Sequence, residues 1–385
     1  KCHFLLISML SSQRHLFNIP EEVVYLNTAY MSPLLNSVVE AIDRGVRSKA
    51  HPWKITIPNF YEDIDRARIL FSGLTNSNPE NIAIIPSASY GIQTAAKNIE
   101  VKRGEKILLL KDQFPSNVYP WQRMSQETGC HIIRIEQGNF ESLTDAILNN
   151  LDETVAVAAL PNVLWTDGSL IDLIQIRLRC DEIGCALVLD LTQSAGAVWI
   201  DFKTVRPDFA VVANYKWMLG PYTTGFLYAS PDRCDGMPLE EGWITRKDSK
   251  NFSNLIRYTD AYEPGATRYD MGERSNFALM PGVIAALQQI KLWGIKNIEQ
   301  KLLIQNRFLG EKLTGLGLEI TDEKQRAPHF LGVKIPNDSR NDLLLKLSEK
   351  NIYLSERGGT IRITPHLWNT QADFDKLISE LKQLL

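Results

Sequence analysis

Cysteine and histidine are scarce in this chain, and neither residue type forms a metal-binding pattern. Among 385 residues there are five cysteines, none of them in a CxxC pair, and six scattered histidines with no HExxH motif. Metal sites need Cys, His and carboxylate ligands at characteristic spacings, so we expect no metal ion. An odd number of irregularly spaced cysteines also argues against a disulfide framework and favours a reducing compartment.

Long apolar runs and a strong charge of one sign are also missing. No segment approaches the roughly 20 apolar residues that cross a bilayer. The apolar stretch at the start spans only about seven residues and precedes no small-residue cleavage site, so either Met9 is the natural start or the segment is an ordered N-terminal arm. A net charge of −3 and an isoelectric point near 6.1 give no electrostatic reason to bind nucleic acid or an acidic membrane. We therefore expect a cytoplasmic protein with neither partner.

What the sequence does contain is a series of short apolar runs that alternate with stretches of helical periodicity. The runs are Ile82–Ile85, Lys106–Leu110, His131–Ile135, Val155–Leu160, Ala186–Leu189, Phe209–Ala213 and Gly225–Ala229. Continuous apolar runs without alternation are typical of strands that are covered on both faces. They predict a largely parallel sheet in an α/β layer structure.

After about residue 280 the pattern changes. Helices are predicted near Gly282–Trp293 and Asn297–Leu316, followed by short strands and a last helix that begins near Thr370 and Asp373. This mixture predicts a smaller α+β domain. Earlier in the chain, Leu170–Ile183 is a predicted helix with a capping pattern at its start.

Two charged residues stand out because each follows a predicted buried strand. Asp190 directly follows Ala186–Leu189, and Lys216 closely follows Phe209–Ala213. Such positions are costly for a charge without a partner. An amine that holds an aldehyde and a carboxylate that keeps a pyridine nitrogen protonated are what pyridoxal phosphate needs, so the pair predicts an enzyme that uses this cofactor. Alone, the aspartate is also compatible with a helix cap and the lysine with a surface position, although apolar flanks disfavour exposure of the lysine.

A family resemblance follows from several motifs that occur in a fixed order. They are PSASYG (residues 86–91), KDQFPSNVYPW (111–121), LPNVLWTDG (160–168), LVLDLTQSAGA (187–197), NYKWMLGPYTTGF (214–226) and GGTIRITPHLWNT (358–370). From about Tyr25 to Leu385 the chain resembles the class V aminotransferases of the fold type I pyridoxal phosphate superfamily. That group contains cysteine desulfurases, kynureninases and isopenicillin N epimerase-like proteins.

The resemblance implies an architecture and an assembly. A large domain, residues 31–275, would contain a mostly parallel seven-stranded sheet and bind pyridoxal 5′-phosphate. A smaller α+β domain, residues 276–385, would be joined by an N-terminal arm, residues 1–30. Relatives are homodimers with active sites at the subunit interface, and a two-fold pair is the commonest oligomer in general.

The resemblance also assigns the cofactor contacts. They are Ser89, Tyr90, Phe114, Asn162, Asp190, Gln193, Tyr215, Lys216 and Thr224. Lys216 would form the Schiff base and Asp190 would accept the pyridinium N–H, and these two are the expected catalytic residues. The turn at Ser89 opens a helix, whose free N–H groups bind phosphate. Phe114 would stack on the ring, although a core phenylalanine is an equal explanation, and Thr223 or Thr224 would reach the phosphate of the neighbouring subunit.

The remaining positions concern the substrate, which the resemblance implies is an amino acid. Arg362 matches the arginine that binds the α-carboxylate, for which a planar guanidinium is well suited; a structural ion pair is the alternative. Asn27 and Tyr30 border the site in relatives. Weaker candidates are His51, Trp53, Arg268, Arg274 and Arg357.

Two departures narrow the reaction. The segment Tyr353–Thr360 lacks the nucleophilic cysteine of the desulfurases, and Phe114 stands where they use a histidine, so persulfide chemistry is not expected. An aminotransferase is the first prediction. A kynureninase-like lyase or hydrolase and an epimerase remain alternatives, because fold and cofactor do not fix the reaction. A non-catalytic cofactor-binding protein is a minor alternative, disfavoured by Lys216, Asp190, Gln193 and Arg362 occurring together.

Overall fold

The computed structural model describes residues 10–335 and 342–385. The apolar stretch at the start of the chain, including Met9, lies outside the described residues, so the interpretation of that segment stays a prediction. In the part that is described, no helix combines the length and the apolar character needed to cross a membrane.

The larger part of the chain is built around a seven-stranded sheet. After the short strand β1 (Val24–Tyr25), its members are β2 (Ile82–Ile85), β3 (Lys106–Leu110), β4 (His131–Ile135), β5 (Val155–Pro161), β6 (Ala186–Asp190), β7 (Phe209–Ala213) and β8 (Gly225–Ala229). They lie in the order β2-β8-β7-β6-β5-β3-β4. β8 is antiparallel to both of its neighbours, and the other pairs are parallel. The predicted α/β fold with a mostly parallel seven-stranded sheet is confirmed.

Helices cover both faces of this sheet. They include α1 (Asn36–Lys49), α2 (Glu62–Thr75), α3 (Ala88–Lys97), α4 (Tyr119–Thr128), α5 (Leu143–Asn150), α6 (Leu173–Ile183), α7 (Phe202–Val205), α8 (Met280–Trp293) and α9 (Ile295–Gly315). In β3, Ile107 and Leu109 belong to one apolar cluster, whereas Leu108 and Leu110 belong to another. Successive strand residues point to opposite faces, so burial on both sides explains why the run is apolar throughout.

The C-terminal part forms a smaller, antiparallel sheet. Its strands are β9 (Glu319–Ile320), β10 (Leu331–Lys334), β12 (Ser355–Arg357) and β13 (Thr360–Ile363), in the order β12-β13-β10-β9. Strand β11 (Ile352–Tyr353) pairs in parallel with β1 and so attaches the N-terminal arm to this part. Helices Leu343–Glu349 and Gln371–Leu384 pack here, and Thr370 and Asp373 form the capping box predicted for the latter.

Helix α8 packs across the predicted domain boundary. It contacts α1 and α2 of the larger part, although the prediction assigned it to the smaller one. A Cβ added at Gly45 would overlap the carbonyl oxygen of Phe277, and one added at Gly282 would lie 2.6 Å from Ile42 Cγ1, so the backbones of α1 and α8 approach closely. The division at residues 275 and 276 therefore stays a prediction.

Several helices differ from the sequence prediction; α7 and the helix Leu343–Glu349, for example, were not predicted. Helix α6 begins at Leu173 and not at Leu170, with Asp172 Oδ1 accepting hydrogen bonds from the backbone N–H groups of the first turn. The preceding residues are extended, because Ser169 bridges to Arg326 and Leu170 bridges to Val163. Helix α5 was not predicted; Ser142 caps it by accepting a hydrogen bond from the Asp145 N–H.

The strand order brings Asp190 and Lys216 to the same edge of the sheet. β6 and β7 are parallel neighbours, with Asp190 opposite Val211, and both end at the same edge of the sheet. Asp190 is the last residue of β6, and Lys216 lies three positions after the end of β7. The sheet therefore brings together two side chains that are 26 positions apart in the sequence.

Candidate active site

A cavity of about 220 Å³ lies at the carboxyl ends of the parallel strands. This is the edge where ligands bind in open α/β sheets. Seven of the predicted cofactor contacts line it: Ser89, Phe114, Asp190, Gln193, Tyr215, Lys216 and Thr224. Their proximity follows from the topology, because they come from the segments after β2, β3, β6 and β7 and from the start of β8.

Lys216 has the electrostatics of a nucleophilic amine. Its side chain is almost fully buried, and Nζ lies 5.5 Å from the ring centre of Phe114 and 5.6 Å from that of Tyr215. Within the described residues Nζ makes no hydrogen bond or ion pair. Burial lowers the pKa of Lys216 to about 7; the Asp190 charge opposes the shift, and the charges of Arg362 and Arg357 add to it. A substantial fraction of the amine is therefore neutral at physiological pH.

Asp190 is a buried carboxylate that no cation of residues 10–335 and 342–385 contacts directly. Its Oδ1 accepts one hydrogen bond, from the Thr192 N–H at 3.1 Å. Burial raises the pKa of Asp190, although the bonds from Thr192 and the charge of Lys216 oppose the rise. A ligand N–H that carries positive charge would satisfy this carboxylate and stabilise its ionised form.

The start of α3 has the features of an anion-binding site. Ser87 caps this helix by accepting a hydrogen bond from the Tyr90 N–H, and its hydroxyl lies 2.9 Å from that of Ser89. A helix N-terminus with two hydroxyls suits a phosphate group. Gly91 allows α3 to sit directly on the sheet, because a Cβ there would overlap Val211 Cγ1 on β7.

These features fit pyridoxal phosphate. A buried amine of lowered pKa, a carboxylate that needs a cationic N–H, an aromatic face at Phe114 and a helix N-terminus with hydroxyls all border one cavity. Each matches one chemical group of the cofactor: the aldehyde, the ring nitrogen, the ring and the phosphate. Thr223, at the mouth, is exposed and has a left-handed backbone conformation with φ of 66°.

Arg362 lies on β13 of the small sheet, and polar contacts fix its side chain. It is 1% exposed, and its Nε and Nη2 donate to Ser355 Oγ at 3.1 and 2.8 Å, while Nη1 donates to the Trp165 carbonyl at 3.1 Å. The Ser355 hydroxyl in turn donates to Asn27 Oδ1 at 2.6 Å. Asn27 thus acts on Arg362 through Ser355. Burial, together with the charge of Arg357, lowers the pKa of Arg362 to about 10.

Not every predicted residue reaches the cavity, and the predicted substrate contacts Arg362 and Asn27 do not line it. The side-chain amide of Asn162 donates to the Ile171 carbonyl at 3.0 Å, and Asn162 does not line this cavity. Tyr90 packs against the apolar cluster under α3. Tyr30 is 52% exposed outside the cavity wall. For Gln193, both ends of the amide are engaged, with Nε2 donating to Ala29 O and Oε1 accepting from Trp217 Nε1.

One of the weaker substrate candidates, Arg274, and one residue that was not predicted, Trp165, have clear positions. Arg274 is paired with buried Asp270, which also binds Arg68, so its environment is a structural ion cluster. Trp165 was not predicted. It lines the cavity, contacts Phe114 at 5.3 Å between ring centres and holds Arg362 through its carbonyl. Its bulk within the LPNVLWTDG motif was the only available signal.

The fold and the cavity together define a pyridoxal phosphate enzyme of fold type I. A family model described as aminotransferase class-V matches residues 24–372. The chain therefore belongs to the class V aminotransferase family, as its motifs predicted. The cofactor of this family is pyridoxal phosphate, and that prediction is confirmed as well.

Relatives within the family have different activities. A probable cysteine desulfurase of Methanothermobacter thermautotrophicus is 23% identical over 342 residues, which cover 83% of either chain. A kynureninase of Bacillus anthracis is 26% identical over 312 residues, which cover 77% of this chain and 71% of the relative. Sequence similarity at this level does not identify the reaction.

Solved structures show the same fold. The apo cysteine desulfurase of Thermococcus onnurineus NA1 superposes with a TM-score of 0.83 at 20% identity, covering 96% of both chains. The cystine C–S lyase C-DES, in complex with its product cysteine persulfide, gives a TM-score of 0.86 at 19% identity, covering 94% of this chain and 97% of that one.

Proposed function

We propose that the protein is a pyridoxal phosphate-dependent aminotransferase that acts on an α-amino acid. The observation that carries this proposal is Lys216, the one basic side chain lining the described cavity, with a pKa lowered to about 7. A transamination needs a single group that moves one proton, and a base of this pKa is suited to that task at neutral pH.

Four residues have separate roles in the proposed reaction. When bound, pyridoxal phosphate supplies an aldehyde for the substrate amine and an electron sink for bonds at the α-carbon. Lys216 Nζ takes the proton from the α-carbon. Asp190 keeps positive charge on its ligand N–H, and Arg362 orients the substrate through its carboxylate. Phe114 covers the site without carrying a proton, which disfavours an epimerase that uses a second base.

The cysteine arrangement gives no support to a persulfide route. The described cysteines are Cys130, Cys180, Cys185 and Cys234, and none of them lines the cavity. The hairpin that carries Arg362 has none either. A nucleophilic thiol that attacks sulfur has to reach the reacting atoms, so the activity named for the desulfurase relatives is not proposed here.

A lyase or hydrolase is the second candidate, and Tyr215 favours it. The Tyr215 ring borders the cavity, and burial, followed by the charges of Tyr222, Asp190 and Tyr30, raises its pKa to about 12. Its hydroxyl therefore stays protonated at neutral pH and can donate to a leaving group. The names of two similar proteins, kynureninase and cystine C–S lyase, describe reactions of this general kind.

Product analysis separates these functions. The cofactor-loaded protein, given a panel of α-amino acids and a 2-oxo acid acceptor, is expected to form a new amino acid and a new oxo acid in equal amounts, without ammonia. Products and ammonia would be quantified by chromatography and an enzymatic ammonia assay. Ammonia release without an acceptor would replace the aminotransferase by the lyase, and no product from any amino acid would remove both. Lys97→Ala, at an exposed lysine, is the control for substitution itself.

We also propose a cytoplasmic homodimer with shared active sites. Tyr222 and Thr223 support it, because both are exposed while lining the mouth of the cavity, where a second subunit could complete the wall. A two-fold pair would bring this mouth against a partner. Sedimentation equilibrium at micromolar concentration is expected to give twice the chain mass of 43.6 kDa; a monomer would contradict the proposal.

A further inference from the structure

The hairpin β12–β13 carries two arginines on one face. Its turn is Gly358-Gly359, both with positive φ (56° and 77°), as a tight two-residue hairpin turn requires. Across the hairpin, Ser355 pairs with Arg362 and Arg357 pairs with Thr360. Residues that alternate along a strand, and those directly opposite, share a face, so Arg357 and Arg362 are diagonal neighbours, with about 7–8 Å between their backbones.

Neither guanidinium has a carboxylate partner within the described residues. Arg362 is buried against a hydroxyl and a carbonyl oxygen, both of them neutral. Arg357 is half-buried, and its Nη1 donates a hydrogen bond to the Glu356 carbonyl at 2.6 Å. The carboxylate of Glu356 cannot neutralise the pair from this position, because it alternates to the opposite face, where it is paired with Ile361.

The two arginines act on each other and on the catalytic lysine. Arg357 contributes to lowering the pKa of Arg362, and both contribute to lowering the pKa of Lys216. Three cationic side chains thus act on one another; Lys216 lines the cavity together with the opposing carboxylate of Asp190, whereas Arg357 and Arg362 lie outside its lining. Partly buried like charges without counter-ions are costly, so an anionic ligand would stabilise the arrangement.

One carboxylate would engage Arg362 and leave Arg357 unpaired. We propose that the substrate carries a second anionic group and is a dicarboxylic α-amino acid, with its α-carboxylate on Arg362 and its distal carboxylate on Arg357. This assignment rests on the proposed function for turnover, but the binding of a diacid does not require any reaction.

Binding of unreactive acids tests the assignment directly. Isothermal titration calorimetry on the cofactor-loaded protein would compare succinate with butanoate, which has the same chain length and one carboxylate fewer. We expect succinate to bind at least tenfold more tightly, because hydrogen bonds between charged groups are the strong ones. Equal affinities for the two acids would overturn the proposal.

Variants identify the residue that is responsible for tighter binding of succinate than of butanoate. Arg357→Gln is expected to weaken the binding of succinate by about 10- to 100-fold and to change the affinity for butanoate by less than twofold. Arg357→Lys should restore part of the succinate affinity, and Arg362→Gln should weaken both acids. Arg44→Gln, at an exposed arginine of α1, is the matched control. If Arg357→Gln weakens both acids equally, Arg357 has a structural role and the proposal fails.

Turnover distinguishes failure of this assignment from failure of the proposed function. In the aminotransferase assay, aspartate and glutamate are expected to exceed asparagine and glutamine in kcat/KM at least tenfold, with the advantage lost in Arg357→Gln. Succinate selectivity without transamination would sustain the diacid site and remove the aminotransferase. Transamination without selectivity for either diacid would sustain the aminotransferase and remove the diacid site.

Discussion

The variant Lys216→Ala is expected to lose at least about a thousandfold in kcat with the best substrate of the wild-type protein. Its amine is both the nucleophile for the aldehyde and the base at the α-carbon, and a positioned base alone contributes up to about 10⁴-fold. After borohydride reduction, mass spectrometry should find the cofactor attached to Lys216 in the wild type and to no residue in the variant. Turnover at the wild-type rate would remove the proposed mechanism.

A stability measurement shows whether Lys216→Ala is folded and whether burial of the Lys216 amine destabilises the wild-type protein. In the cofactor-free protein, burial lowers the pKa of Lys216 from 10.5 to about 7. The cost of burying the charged amine is fully present below pH 7 and disappears as the pH rises to 10.5, because in this window the unfolded chain binds a proton that the native chain does not. In urea denaturation, the free energy of unfolding of the wild type should therefore rise relative to that of Lys216→Ala by up to about 1.4 kcal/mol per pH unit. A difference that does not depend on pH would show that the amine is not buried.

The second large effect is expected for Asp190→Asn. The amide oxygen can keep the hydrogen bond from Thr192, so the geometry at the end of β6 is retained while the charge is lost. Breaking a buried charged pair costs about 3–5 kcal/mol, which corresponds to roughly a hundredfold to a few thousandfold in kcat. Steady-state kinetics at saturating cofactor would measure it.

The controls for Asp190→Asn concern folding and substitution in general. Because burial raises the pKa of Asp190, replacing the carboxyl by an amide should not lower the thermal stability of the cofactor-free protein. Asp232→Asn, at an exposed aspartate, should keep full activity. A kcat within threefold of the wild type in Asp190→Asn would show that this carboxylate has no role in the reaction.

Predictions that depend on local sequence were the most accurate. β7 and β8 begin and end at the predicted residues, and β6 extends the predicted run by one residue to Asp190. Strands buried on both faces leave continuous apolar runs, and a charge at the end of such a run is easily recognised. The helix α5 was not predicted, because its eight residues, Leu143–Asn150, form only about two turns and little periodicity.

The sequence did not indicate the direction of two of the predicted side chains. Asn162 immediately follows β5, at the correct edge of the sheet, yet its side chain bonds to Ile171 and not toward the cavity. Tyr90 belongs to the phosphate-binding turn, but its ring packs into the core. A one-residue change of direction moves a side chain to the other face of a sheet or turn, and sequence similarity at low identity does not fix it.

By itself, the sequence determined the α/β layers, the family, the cofactor and the placement of Asp190 and Lys216 after two buried strands, because each leaves a local pattern of apolar runs and charges. Only the tertiary structure decided what surrounds Arg362: Ser355 and Trp165 as its hydrogen-bond partners, Asn27 behind Ser355, and Arg357 beside it on the same face. These contacts join residues separated by up to 328 positions. They depend on how the N-terminal arm, β5 and the hairpin pack against one another, and long-range packing leaves no periodic signal in the chain.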